Sequence, residues 1–280
     1  MPRSLERLAA GCLALVLAPL FARAEAPAVE RLVDRTSRQV NAYLEQVSNV
    51  TCTEHVTQLK LGRNGKVQAS EQADYNYLIL LQGAADDLLL SESRLPQDPA
   101  RKPRNSVSLL MTNGFSTLFL IFHPYYRASF QFEEAGQELV DGRRLTRLRF
   151  TPIPGARTPV ALALRGREYP LALQGDAWLD EDTGLVARIQ ATLANDLRDI
   201  GLRSLRADIS YANVRLPAWP RAYPLPAEAV IEVETQRQHW RNTHRFDAYK
   251  SFMVDTQQAV ADDALGQPPA AQVPAKRKKK

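Results

Sequence analysis

The sequence predicts an α+β protein: a strongly curved antiparallel sheet, an open or half β-barrel, packed on an N-terminal amphipathic helix and a short inner helix. Three observations carry this expectation. Apolar residues recur at helical spacing from Val29 to Val47. At Val50 the hydrophobic period changes from about 3.6 to about 2. The run Thr112 to Phe122 is more apolar than one helix face can bury against a flat sheet.

The chain opens with Arg3 and Arg7, an uncharged, mostly apolar run from Leu8 to Ala22, and the small-x-small pair Ala22-Arg23-Ala24 and Ala24-Glu25-Ala26. That is the pattern of a cleaved secretory signal. Fifteen residues span about 22 Å as a helix, short of a ~30 Å hydrocarbon core. Residues 1–24 are therefore expected to be a signal peptide cut after Ala24, with export to the periplasm. Cys12 lies too early in the apolar run for a lipidated cysteine. Cleavage leaves Cys52 alone, so the mature chain cannot close an internal disulfide, and a small buried side chain is expected there.

Residues 25–255 are expected to form one domain, with 256–280 a disordered Pro- and Ala-rich tail. The hydrophobic content of 45% suffices for a core. The net charge of +5 equals the five cations Lys276, Arg277, Lys278, Lys279 and Lys280. The body is thus near neutral, which argues against nucleic-acid binding. The basic tail itself is suited to anionic envelope surfaces.

In the first helix Val29, Leu32, Val33, Val40, Tyr43, Leu44 and Val47 form one stripe. Strands are expected at Val50–Leu61, Asp74–Leu81 and Asp87–Glu92, with a hairpin at Asn64-Gly65 and a turn around Gly83. Leu95–Ser106, with Pro96, Pro99 and Pro103, reads as an exposed loop. Within Thr112–Phe122, residues Phe115, Leu118, Phe119 and Phe122 share a helical face and Pro124 blocks continuation, so a short buried helix is expected, with a core strand as the alternative. Further strands are read at Ala128–Phe132, Arg143–Phe150, Gly175–Asp180, Val186–Leu193, Arg206–Val214, Ala229–Gln238 and His239–Tyr249. Leu139–Gly142 reads as a turn, and Asp182-Thr183-Gly184 as a solvent-exposed hairpin turn. Gly155–Gly175 reads as irregular, with an edge strand near Val160–Leu164.

Four segments carry a family resemblance: Asn49-Val50-Thr51-Cys52-Thr53, Gly114 to Pro124, Gly175 to Gly184 with its Gly-x-x-Trp-Leu-Asp turn, and Phe246 to Phe252. Through them the chain, over about Val29 to Phe252, resembles the periplasmic outer-membrane lipoprotein-sorting proteins, the LolA-like open barrels. The resemblance implies an apolar cavity between curved sheet and helices that holds acyl chains. Thr151–Gly175 is an insertion relative to that class.

No catalytic motif, metal-ligand spacing or cofactor fingerprint is present. His239 and His244 lie five apart on one strand and so face opposite sides. Asp180, Asp182 and Thr183 lack the spacing of a calcium loop. The expectation is a non-enzymatic periplasmic binding protein, with no catalytic residue, metal or cofactor. Its cavity would be lined by Phe115, Leu118, Phe119, Phe122, Phe130, Phe132 and Trp178 and would hold a lipid or acylated peptide. The alternative is an envelope protein-protein interaction or regulatory module without a lipid ligand.

Overall fold

Alternation and turn chemistry build one large sheet. The structure, a computed structural model, describes residues 22–47, 50–82, 89–98, 114–140, 142–164, 167–195, 197–217 and 219–251. The expected signal segment up to Phe21, the turn around Gly83, most of the proline-rich loop, Thr112 and the tail with its lysines lie outside the described residues.

Helix α1 (Ala22–Val47) leads into β1 (Val50–Leu61), β2 (Val67–Gln82) and β3 (Leu89–Pro96). A 3-10 turn (Leu118–Phe122) and the single turn α2 (Pro124–Arg127) follow, then β4 (Phe130–Val140) and β5 (Arg143–Pro152). After β6 (Ala161–Leu164) and β7 (Arg167–Pro170) come β8 (Leu173–Asp180), β9 (Val186–Leu193), β10 (Leu202–Val214), β11 (Tyr223–Thr235) and β12 (His239–Ser251). Ten strands make one antiparallel sheet in the order β3-β2-β1-β12-β11-β10-β9-β8-β5-β4. β3 and β4 are its two edges, so the barrel stays open.

Helix α1 buries Leu32, Val33, Val40, Tyr43 and Leu44, as its stripe requires, and also Thr36 and Ser37, which complete the i, i+3, i+4, i+7 rows. The Asn64-Gly65 hairpin is exposed, and Gly65 supplies the φ of +73° the turn needs. The turn from β8 to β9 is only partly exposed. Asp180 Oδ1 accepts from the Thr183 backbone N–H (2.9 Å) and hydroxyl (2.7 Å). Arg35 donates to the carbonyls of Glu181 and Asp182, and Gln39 to that of Thr183 (3.1 Å). Gly184 is thereby buried under α1, where a Cβ would lie 2.9 Å from Arg35 Cγ. The turn is the seat of the helix.

Other boundaries also differ from expectation. Residues 139 and 140, read as a turn, continue β4, and Leu95 and Pro96 continue β3, because each strand still has a ladder partner there. The stretch read as irregular is ordered. β6 and β7 pair with each other, Leu171 donates to the Val160 carbonyl (2.9 Å), and Val160, Leu162 and Leu171 are buried in the core. Its apolar side chains join the main core, a tertiary role that local periodicity does not show.

Candidate functional site

The inner segment is buried on every side. Phe115, Leu118, Phe119, Leu120, Ile121 and Phe122 are all at most 2% exposed. The helix there is 3-10: Leu120 donates to Thr117 (2.9 Å) and His123 to Leu120 (2.8 Å). A segment enclosed by the sheet, α1 and α2 has no solvent face to keep polar. Pro124 then starts α2, and His123 Nδ1 accepts from the Tyr125 N–H (3.2 Å). Burial lowers the His123 pKa.

These side chains fill the concavity. Phe119 meets Tyr43 edge-on at 5.0 Å and Tyr211 at 5.8 Å. The enclosed pocket beside Phe119, Tyr43 and Tyr211 is about 10 Å³, room for one water at most. Phe122 stacks on Phe132 (5.0 Å), and Phe130 packs edge-on against Phe150 (6.0 Å). Phe115, Leu118, Phe119, Phe122, Phe130 and Phe132 thus belong to one connected core.

Trp178 stands apart. Its neighbours Ala177 and Leu179 point into the core at 0% exposure, so alternation turns Trp178 to the other face of β8. There the Arg188 guanidinium covers its ring at 5.3 Å and pairs with Asp208. Trp178 shares that phase with Gln174, Asp176 and Asp180, so the strand's polar side carries the tryptophan.

Open space lies at the sheet edge. A groove of about 660 Å³ runs between α1, α2 and β4. Val29, Val33, Phe130 and Phe132 give it an apolar floor; Glu30, Asp34, Arg38 and Arg127 give it a charged rim. Asp34 and Arg127 form an ion pair across it. Two of the seven predicted lining residues, Phe130 and Phe132, line this groove.

A second constellation escaped the sequence reading. On the inner face at the opposite end of the sheet, Arg94 Nε donates to Glu54 Oε2 (2.7 Å) and Nη2 lies 2.9 Å from Glu92 Oε2. His244 Nδ1 donates to Glu54 Oε1 (2.9 Å). The four side chains are 0–7% exposed. Glu92 Oε1 accepts from the Gly114 N–H (2.9 Å) and the Ser116 hydroxyl (3.0 Å), tying the inner segment to β3. The legible signal was Glu54 and Gln58 on the apolar phase of β1, and Asn242 and His244 on that of β12.

Burial alone would raise the Glu54 carboxyl pKa; the hydrogen bond from His244 and the charge of Arg94 outweigh it, and the pKa lies below the ordinary value. A depressed folded pKa means stability present above the unfolded pKa, about 4.3, and lost as pH falls through the folded value. Glu54→Gln is therefore expected to lower Tm at pH 7 and flatten its decline below about pH 4. An acid limb in the variant parallel to that of the unaltered protein would refute this. Cys52 is buried, and burial pushes its thiol up to about 12, which makes it a poor nucleophile.

No protein-family model matches the chain, and no curated protein matches it. Among solved structures, a LolA superfamily protein from Nitrosomonas europaea matches at 9% identity and a TM-score of 0.37, covering 81% of this chain and 94% of that one. A DUF1329 family protein from Desulfovibrio piger matches at 15% identity and 0.41, covering 84% and 96%. A domain described as an outer-membrane lipoprotein-sorting protein from Vibrio parahaemolyticus matches at 12% and 0.42, covering 81% and 94%.

Proposed function

We propose that this is an exported, non-enzymatic periplasmic binding protein whose groove between α1, α2 and β4 takes the acyl chain of a lipid or acylated peptide. The observation that carries the reading is the groove itself. Its volume of about 660 Å³ falls in the range of small-ligand sites, roughly 300–1,000 Å³. An apolar floor below a charged rim matches an amphipathic ligand. Each sequestered CH₂ contributes about 0.8 kcal/mol, so ten contribute about 8 kcal/mol before ordering costs. The basic start, short apolar run and Ala-x-Ala end support export.

Delipidated protein offered a bacterial lipid extract and read by native mass spectrometry tests this. The unaltered protein is expected to retain lipid. Phe132→Asp, at a half-buried groove position, is expected to stay folded and lose at least about tenfold in affinity, the effect of desolvating a charge beside an apolar chain. Full lipid uptake by a folded Phe132→Asp variant would exclude the groove. No uptake by the unaltered protein would favour the second reading, a partner strand added to a sheet edge. β4 is such an edge, and Leu139 near its end is 76% exposed.

A further inference from the structure

Polar side chains also occupy the concave face at the end of the sheet away from the groove. Register sets Glu71 of β2 opposite Gln58 of β1, and Gln58 opposite Asn242 of β12. His244, two residues from Asn242, lies diagonal to Gln58 on the same face. The row spans two strand spacings, about 10 Å.

Its hydrogen bonding is incomplete. Gln58 is 1% exposed, and neither atom of its amide meets a hydrogen-bond partner among the described residues. The same holds for Glu71 Oε2 and His244 Nε2. Orphaned buried polar atoms are costly, and a whole buried amide is uncommon unless something supplies its partners.

The missing partner has a definite chemistry. Glu54 is held as a carboxylate and only accepts, so His244 Nδ1 carries a proton, and in the Nδ1–H tautomer Nε2 is an acceptor. Glu71 Oε2 and Gln58 Oε1 are acceptors too, against one donor, Gln58 Nε2. This inner face further holds three carboxylates, Glu54, Glu71 and Glu92, against two cations, Arg94 and Lys60, the latter drawn over the Trp240 ring. Several acceptors in a field of excess negative charge call for a cation rich in N–H donors.

We propose that the inner faces of β2, β1 and β12 form a second binding site, separate from the groove, for a ligand headed by a primary ammonium. Three N–H donors answer His244 Nε2, Glu71 Oε2 and Gln58 Oε1, and the positive charge offsets the surplus carboxylate. Glu71 is only half-buried, so the row meets solvent at its β2 end, where the ligand enters.

The test is a titration of the unaltered protein with n-octylamine hydrochloride, following the His244 imidazole by NMR and affinity by calorimetry. Saturable binding that shifts the His244 Nε2 resonance is expected. The N,N,N-trimethyl analogue, which has no N–H donors, is expected to bind at least about tenfold more weakly. Gln58→Leu, which removes both orphan atoms at similar volume, is expected to lose amine binding by a similar factor while Tm stays the same or rises. Phe132→Asp is expected to leave amine binding unchanged, which separates this site from the groove. Three results overturn the proposal: equal affinity for the two amines, undiminished binding by Gln58→Leu, or no shift at His244, which would leave only ordered water to complete the row.

Discussion

Arg94→Leu is expected to destabilise the protein by about 3–5 kcal/mol, the usual cost of removing one partner from a buried ion network. The Arg94 side chain is 6% exposed and is the one guanidinium between Glu54 and Glu92, themselves 0% and 2% exposed. Burial opposes its charge, yet Glu92, Tyr77 and Glu54 raise its pKa above the ordinary value. Its guanidinium also covers the Tyr77 ring at 5.0 Å. Leucine keeps the packing bulk and leaves two buried carboxylates without their guanidinium, with only His244 on Glu54 and the Gly114 and Ser116 donors on Glu92. Glu92 holds Gly114 and Ser116, so the loss extends to the start of the inner segment. For a domain of this size the drop in Tm is roughly 6–20 °C. Adding Glu54→Leu should restore part of it, because one stranded charge then disappears. Chemical denaturation decides the matter: a single-variant loss below about 1 kcal/mol would show that the network contributes little.

Gly175→Ala is expected to cost about 3 kcal/mol or more, at the upper end of overpacking effects. A Cβ at this position would lie 1.9 Å from the Gln190 carbonyl oxygen and 2.9 Å from the Ala191 Cα. Both obstacles are backbone of β9, so no side chain can rotate away. Gly175 pairs with Phe150 of β5 and Ala191 of β9 in the sheet interior, and β8 would have to move away from β9. A fall in Tm of roughly 6–12 °C follows, with faster amide exchange along β8 and β9. A variant within about 1 kcal/mol of the unaltered protein would mean that the close approach relaxes cheaply.

Gly175 shows how legible this protein was. The Gly-x-x-Trp-Leu-Asp turn stands out in the sequence, and each position has a reason there. Gly175 permits close strand approach, Trp178 carries Arg188, and Asp180 closes the turn that seats α1. The motif could be read as structural, and the side of Trp178 was legible too: it shares its phase with Gln174, Asp176 and Asp180, while Leu173, Ala177 and Leu179 hold the inward one. Its ring alone suggested a cavity lining, but Arg188 of the neighbouring strand covers it instead.

The sequence by itself determined what depends on near neighbours along the chain. The stripe of α1, the period-2 strands, the Asn64-Gly65 turn and the stop at Pro124 all follow from contacts within a few residues. Only the tertiary structure decided what depends on pairing distant strands. Glu54 reaches Arg94 across 40 residues and His244 across 190. That register also sets Glu71, Gln58 and Asn242 in one row and encloses the inner segment so fully that it forms a 3-10 turn. Alternation along one strand says which side a residue faces, while its partner is fixed by which strand lies beside it, and that is a property of the closed-up sheet.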